Sequence, residues 1–288
     1  MNTLPVSTDL RLDSKIARSM GEALAGDFCF AEPYPHIVLD QFLPEHLIRR
    51  LQSHFPLQAL PSDVNFEMGY AGHLKRQTLP EDCSAEAREA FWFFNSAPFL
   101  QFLEGLTAIE GLSPDPYFVG GGYHETRRGG KLGIHADFRI NAQLHLQRRL
   151  NVIIYLNEDW QDDWKGQLEI WDRKASQCCK RIAPVFNRCV VFVTEDDTYH
   201  GHPDPLETPE SVTRRSVALY YYTGSRAIYA EQADTGTLYV ARPGETGESR
   251  AQAITLRRDE WLRDVLPPAV WRGTMRLRGV LRRLGKKR

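Results

Sequence analysis

The chain has 288 residues, 42% of them hydrophobic and 11% aromatic, enough to bury a sizeable core as one large domain or two small ones. Its formal net charge is −1, but Arg272, Arg276, Arg278, Arg282, Arg283, Lys286, Lys287 and Arg288 place +8 in the last 18 residues, leaving −9 on the first 270. An acidic body whose surplus cations sit at one end excludes a general nucleic-acid binder and directs any anionic partner to the tail.

Residues 1–30 are weakly patterned, with a short helix expected over Ser14 to Ala25. From Pro35 the text changes. His36 to Asp40 reads as a strand, and Leu43-Pro44-Glu45 opens a helix whose apolar positions are Leu47, Ile48, Leu51 and Phe55. Ala85 to Ile109 reads as helical with a break between Asn95 and Pro98, and its phenylalanines are expected to pack a core.

After Pro116 the character is β. Tyr117 to Tyr123 contains the run Gly120-Gly121-Gly122, Arg128-Gly129-Gly130 suits a hairpin turn, and Leu132 to Asp137 reads as a returning strand. Asn151 to Leu156, Gln167 to Trp171, Cys189 to Val193 and Arg215 to Tyr222 follow as further strands. Short strands separated by Gly, Pro and Asp-Asp turns predict a mainly β fold with flanking helices, a jelly-roll or cupin-like sandwich. Pro267-Pro268 precedes a basic tail in which Trp271, Met275, Leu277, Val280, Leu281 and Leu284 alternate with arginines. A basic amphipathic segment of that kind suits peripheral contact with an anionic membrane or partner.

Five cysteines without regular spacing (Cys29, Cys83, Cys178, Cys179, Cys189) match neither a zinc knuckle nor a disulfide framework. Reduced thiols in the cytoplasm are expected, with the tail able to reach the inner face of a membrane. No leader-like n-region and h-region is read at the N-terminus, and no apolar run approaches the roughly 20 residues of a bilayer span.

His135 and Asp137 stand two apart, so on a strand both side chains leave one face, as two ligands of one ion require. A third ligand must come from a distant strand, and Tyr199-His200-Gly201-His202 follows the apolar run Cys189 to Val193 after an acidic turn. Two imidazoles and one carboxylate can occupy one face of an octahedral ion and leave the other open, the arrangement of non-haem Fe(II) oxygenases. Zinc accepts the same donors. His202 competes with His200, and Tyr199 favours His200. Arg214-Arg215-Ser216 supplies a guanidinium fork able to bind a carboxylate. Arg214 would share a face with Ser216, while Arg215 would point away. His124 is read as a surface or hairpin residue, and Trp160, Trp164 and Tyr220 to Tyr222 chiefly as packing.

The block from Tyr123 to Tyr222 resembles the 2-oxoglutarate and Fe(II)-dependent oxygenases, and within them the prolyl 4-hydroxylase-like branch. The residues that carry the likeness are Gly130-x-Leu132-x-x-His135-x-Asp137, Leu150-Asn151-Val152-Ile153-Ile154-Tyr155-Leu156-Asn157-Glu158-Asp159-Trp160, Gly166-x-Leu168-Glu169-Ile170-Trp171, Tyr199-His200 and Arg214-x-Ser216. The resemblance implies a double-stranded β-helix holding Fe(II) on His135, Asp137 and His200. It further implies 2-oxoglutarate bound through Arg214, with Ser216, Tyr155 and Tyr123 donating hydrogen bonds. Dioxygen is the other co-substrate, with ascorbate as a supporting reductant.

The implied reaction hydroxylates an unactivated C–H bond of a prolyl residue or a small metabolite, releasing succinate and CO2. Asp137 argues against halogenation, since halogenating members generally lack that carboxylate. The His200 to Arg214 interval is longer than the closest pattern, which leaves Arg214 and Arg215 as alternatives. The competing reading is a non-catalytic cupin-like metal- or ligand-binding module. The expected organisation is an N-terminal segment (1–30), an oxygenase domain (31–230) with a helical lead-in (31–115) and a β-helix core (116–230), a C-terminal extension (231–270) and the basic tail (271–288).

Overall fold

Asp13 starts the first helix, α1 (Ser14–Cys29), by accepting from the main-chain N–H groups of Lys15 and Ile16, two donors that no helical carbonyl reaches. The computed structural model describes residues 3–224, save 62 and 68, and a C-terminal piece between 238 and 255, save 245, 246, 248, 249 and 253. In chain order there follow β1 (His36–Leu39), α2 (Glu45–Ser53), β2 (Val64–Phe66), β3 (His73–Thr78), α3 (Ala85–Phe94), α4 (Ala97–Thr107), β4 (Ser113–Pro114) and β5 (Gly122–Ala136). The remainder is β6 (Ile140–Asn141), β7 (Leu146–Tyr155), β8 (Leu168–Trp171), β9 (Cys178–Ile182), β10 (Cys189–Val193), β11 (His200–His202), β12 (Arg214–Thr223) and β13 (Leu238–Tyr239). The tail from residue 271, and most of the extension before it, lie outside the described residues. Among the described residues no helix is long and apolar enough to cross a membrane.

The helices form one layer. The backbones of α1 and α4 touch where both carry glycine: a Cβ on Gly21 would stand 2.2 Å from the Phe102 carbonyl oxygen, and one on Gly105 2.4 Å from that of Arg18. The aromatic residues of α3 and α4 then reach the sheet. Phe91 meets the ring of Tyr123 edge-on at 4.9 Å, and the Tyr221 hydroxyl donates to the Phe94 carbonyl. Phe91, Phe94, Phe99 and Phe102 are buried, each worth about 1.5–3 kcal/mol of transfer free energy. This contact fixes which face of the sheet looks outward to the helices.

The other face encloses a cavity. The major sheet runs β1-β10-β7-β12-β5-β3-β2, and the minor sheet β5-β11-β8-β9, with β13 on the far edge of β5. Strand β5 belongs to both: Gly122 to Thr126 pairs with β12 and β3, while Leu132 and His135 pair with β11. The hairpin turn expected at Arg128-Gly129-Gly130 is therefore absent. Gly129 takes φ +77°, and a Cβ on Gly130 would stand 2.7 Å from the His73 carbonyl, so these glycines bend one strand from sheet to sheet instead of reversing it. The result is a double-stranded β-helix core with flanking helices, the class the sequence indicated.

Register decides what faces the cavity. Lys75, Thr126 and Arg214 lie in one row across β3, β5 and β12, and Gln77, His124, Ser216 and Tyr155 form the next across β3, β5, β12 and β7. Four residues further along, Tyr220 and Asn151 stand opposite each other near the other end. Directly paired residues project to the same side, so these rows put lysine, arginine and histidine inside a barrel whose outer faces are apolar.

Candidate metal centre and its cavity

His135 is the penultimate residue of β5, and His200 opens β11 directly opposite it. The strands come this close because Gly201 lacks a side chain: a Cβ there would stand 2.6 Å from the Gly133 carbonyl oxygen. Asp137 follows one residue past the end of β5. The donor atoms of His135, Asp137 and His200 all lie within 4.8 Å of one another. His135 Nε2 is 3.6 Å from Asp137 Oδ1, and His200 Nε2 is 3.4 Å from Asp137 Oδ2.

Both imidazoles are oriented from behind. His135 Nδ1 donates to the Gly133 carbonyl at 2.8 Å and His200 Nδ1 to that of Thr198 at 3.1 Å, which leaves each Nε2 with its lone pair toward the other ligands. Burial, reinforced by the neighbouring His135, pushes His200 down to about 4, so it is neutral at physiological pH, as a metal ligand must be. Asp137 is held by two further donors on β7. Asn151 Nδ2 donates to Oδ2 at 2.6 Å and Arg148 Nη2 to the same oxygen at 3.1 Å. Burial alone would raise this carboxyl, but the Arg148 guanidinium and then the two histidines keep it well below the usual carboxylate range. Two imidazoles and an ionised carboxylate on one side of an open cavity fit a divalent ion with free coordination positions.

The cavity has a volume of about 240 Å³ and extends from these three residues to Arg214. Arg214 is buried, donates Nε to the Gly166 carbonyl at 2.8 Å and Nη2 to the Tyr155 hydroxyl at 3.2 Å, and among the described residues has no carboxylate partner. Gly166 lets it lie flat, since a Cβ there would meet Arg214 Cδ at 3.2 Å. Ser216 lines the same cavity. Arg215 leaves on the other face, to Thr213, Glu125 and the ring of Phe55. His202 stays apart from the three-residue cluster, facing the Arg214 end.

Tyr123 is a correction. Its hydroxyl donates to the Leu51 carbonyl at 2.8 Å and its ring is packed between Phe55 and Phe91, so it faces the helices and cannot donate into the cavity. The neighbouring His124 lines the cavity instead, contrary to a surface or hairpin role. Trp160 and Trp164 contact each other and do not line it, while Tyr220 does, with the Arg148 guanidinium 3.4 Å above its ring centroid. Sequence reasoning also missed Arg148, Asn151, Lys75 and Tyr239, whose ring stacks on His135 at 5.3 Å from β13. Their inward position depends on strand pairing, which is not written locally.

Residues 121–222 match the model of the 2OG-Fe(II) oxygenase superfamily. In fold, the chain is similar to a Pseudomonas putida prolyl-4-hydroxylase, at 18% identity and TM-score 0.52 over 71% of this chain and 100% of that one. It is also similar to a Trichoplax adhaerens prolyl hydroxylase in complex with a hypoxia inducible factor oxygen degradation domain peptide fragment, at 15% identity and TM-score 0.51 over 76% of this chain and 96% of that one. No curated protein sequence matches the chain. Over the segment from Gly121 to Tyr222 this chain is similar to the 2OG-Fe(II) oxygenase superfamily, and its fold is prolyl 4-hydroxylase-like. It is a 2-oxoglutarate-dependent oxygenase whose cofactors are Fe(II), 2-oxoglutarate and dioxygen.

Proposed function

We propose that the enzyme hydroxylates an unactivated C–H bond, of a prolyl residue or a small metabolite. In this reading His135, Asp137 and His200 hold Fe(II), and Arg214 binds the remote carboxylate of 2-oxoglutarate with help from Tyr155 and Ser216. The observation that carries it is one cavity with three metal donors at one end and, toward the other, a buried guanidinium with no carboxylate partner among the described residues. When bound, the iron and co-substrate supply the dioxygen chemistry, with 2-oxoglutarate leaving as succinate and CO2.

The chain's own residues do the positioning. Arg148 and Asn151 both engage Asp137 Oδ2, which keeps the carboxylate ionised and turns Oδ1 toward His135. The main-chain carbonyls of Gly133 and Thr198 fix the imidazole tautomers. Tyr155 and Gly166 hold the Arg214 fork, so a carboxylate meets a guanidinium that is already oriented.

The reading is tested under nitrogen. Protein given Fe(II) should develop a visible charge-transfer absorption on adding 2-oxoglutarate, and Arg214→Met should weaken the co-substrate roughly 100-fold. In air the wild-type protein should release succinate even without a primary substrate. Absence of both absorption and succinate would reject it.

A further inference from the structure

The cavity holds more positive charge than one co-substrate can use. Lys75 enters from β3 at only 7% exposure, and its ammonium rests 4.4 Å over the ring of Phe66. No carboxylate lies within 4.0 Å of it among the described residues, and Asp137, the one carboxylate lining the cavity, is taken by Arg148 and Asn151. An unpaired buried ammonium is costly, so its position argues for an anion that arrives.

Arg214 and Lys75 share a cross-strand row with Thr126 between them, but they are anchored on opposite flanks. Arg214 is tied to Tyr155 and Gly166 on the β7–β8 side, Lys75 to Phe66 on the β2 side. A 2-oxoglutarate molecule has two carboxylates. On the oxygenase reading one would go to the metal end and the other to Arg214, so Lys75 would keep no carboxylate partner among the described residues with the co-substrate bound.

Beside Lys75 stand two histidines with unused nitrogens. His202 is 3% exposed, lines the cavity, and neither of its ring nitrogens has a hydrogen-bond partner. His124 donates Nε2 to the Gly120 carbonyl at 2.9 Å, and its Nδ1 has no hydrogen-bond partner among the described residues. Burial, and then the proximity of Arg214, brings Lys75 down to about 7, so the group is poised to be charged once an anion approaches.

Building on the oxygenase reading, we propose that Lys75, with His202 and His124 beside it, is a second anion subsite that receives a carboxylate of the primary substrate. The substrate class is then a small carboxylic acid, such as a free amino acid, and not a prolyl residue inside a peptide, whose carboxyl is consumed in an amide.

The test uses the full-length protein loaded with Fe(II) and 2-oxoglutarate under nitrogen and titrated with acetate by calorimetry, while the absorption of the co-substrate complex is followed. The wild type should take up acetate saturably without losing that absorption. Lys75→Met should weaken acetate about tenfold or more, Lys75→Arg should retain it, and the 2-oxoglutarate affinity of both should stay within about twofold. Circular dichroism should show Lys75→Met folded, since it removes a buried unpaired cation. Failure of acetate to saturate the wild type, equal binding by Lys75→Met, or a tenfold loss of 2-oxoglutarate affinity in that variant would each overturn the subsite. A wild-type protein that forms no complex with 2-oxoglutarate would instead remove the underlying oxygenase reading.

Discussion

Arg148 Nη2 donates to Asp137 Oδ2 at 3.1 Å while its guanidinium lies over the ring of Tyr220. A buried cation thus holds the one carboxylate of the candidate metal centre, and Asn151 shares the same oxygen. Arg148→Met should lower divalent-metal affinity about 10- to 100-fold, as loss of a ligand's supporting hydrogen bond does. Calorimetric titration with Mn(II) checks this, and unchanged affinity would show that Asp137 needs no such support.

The close approach of β5 and β11 gives a second expectation. A methyl on Gly201 would press on the Gly133 and Leu132 carbonyls at 2.6 and 2.9 Å, forcing apart the strands that carry His135 and His200. Gly201→Ala should therefore cost about 1–3 kcal/mol in denaturant unfolding and weaken metal binding more than its stability loss explains. Equal metal affinity in the folded variant would contradict this coupling.

Tyr123 and Arg215 serve as controls. Tyr123→Phe deletes a donor to Leu51, so it should cost about 1 kcal/mol of stability and leave 2-oxoglutarate affinity unchanged. Arg215→Met should likewise spare the co-substrate, because that guanidinium is spent on Thr213 and Glu125 outside the cavity. Absorption titrations of both variants decide the matter.

Lys75 makes stability depend on pH with a definite sign. Its pKa in the folded protein, about 7, lies below its ordinary value of 10.5, so between these the unfolded chain binds the extra proton. Across that window stability should rise with pH, with a limiting slope of about 1.4 kcal/mol per pH unit from this group. The charges facing it are Arg214, His124, His202 and the single carboxylate Asp137. Urea unfolding of the metal-free protein should show the rise, and Lys75→Met should flatten it.

Much of the centre was legible because it obeys local periodicity. His135 and Asp137 two apart and Arg214 and Ser216 two apart follow the strand alternation, whereas Tyr155 came from the family resemblance alone. The misses occur where pairing breaks that rule. At Tyr123 and His124 the expected and observed faces differ by one residue, a slip that period-two reasoning cannot detect without the partner strands. Arg148 lies three residues from Asn151, yet a register shift opposite Tyr221 and Tyr222 brings both onto Asp137. No element is read at strand β3, whose inward side chains, Lys75 and Gln77, line a polar cavity and not an apolar core. The glycines after Arg127 read as a turn because turn and bend use the same residue.

On the proposed function, three side chains from β5, the turn after it and β11 bind one ion. An anomalous-scattering map from crystals soaked anaerobically with Fe(II) tests it directly. A single iron peak bonded to His135 Nε2, His200 Nε2 and an Asp137 oxygen is the expected result. Iron held by His202, or no peak among the three residues, would contradict the account.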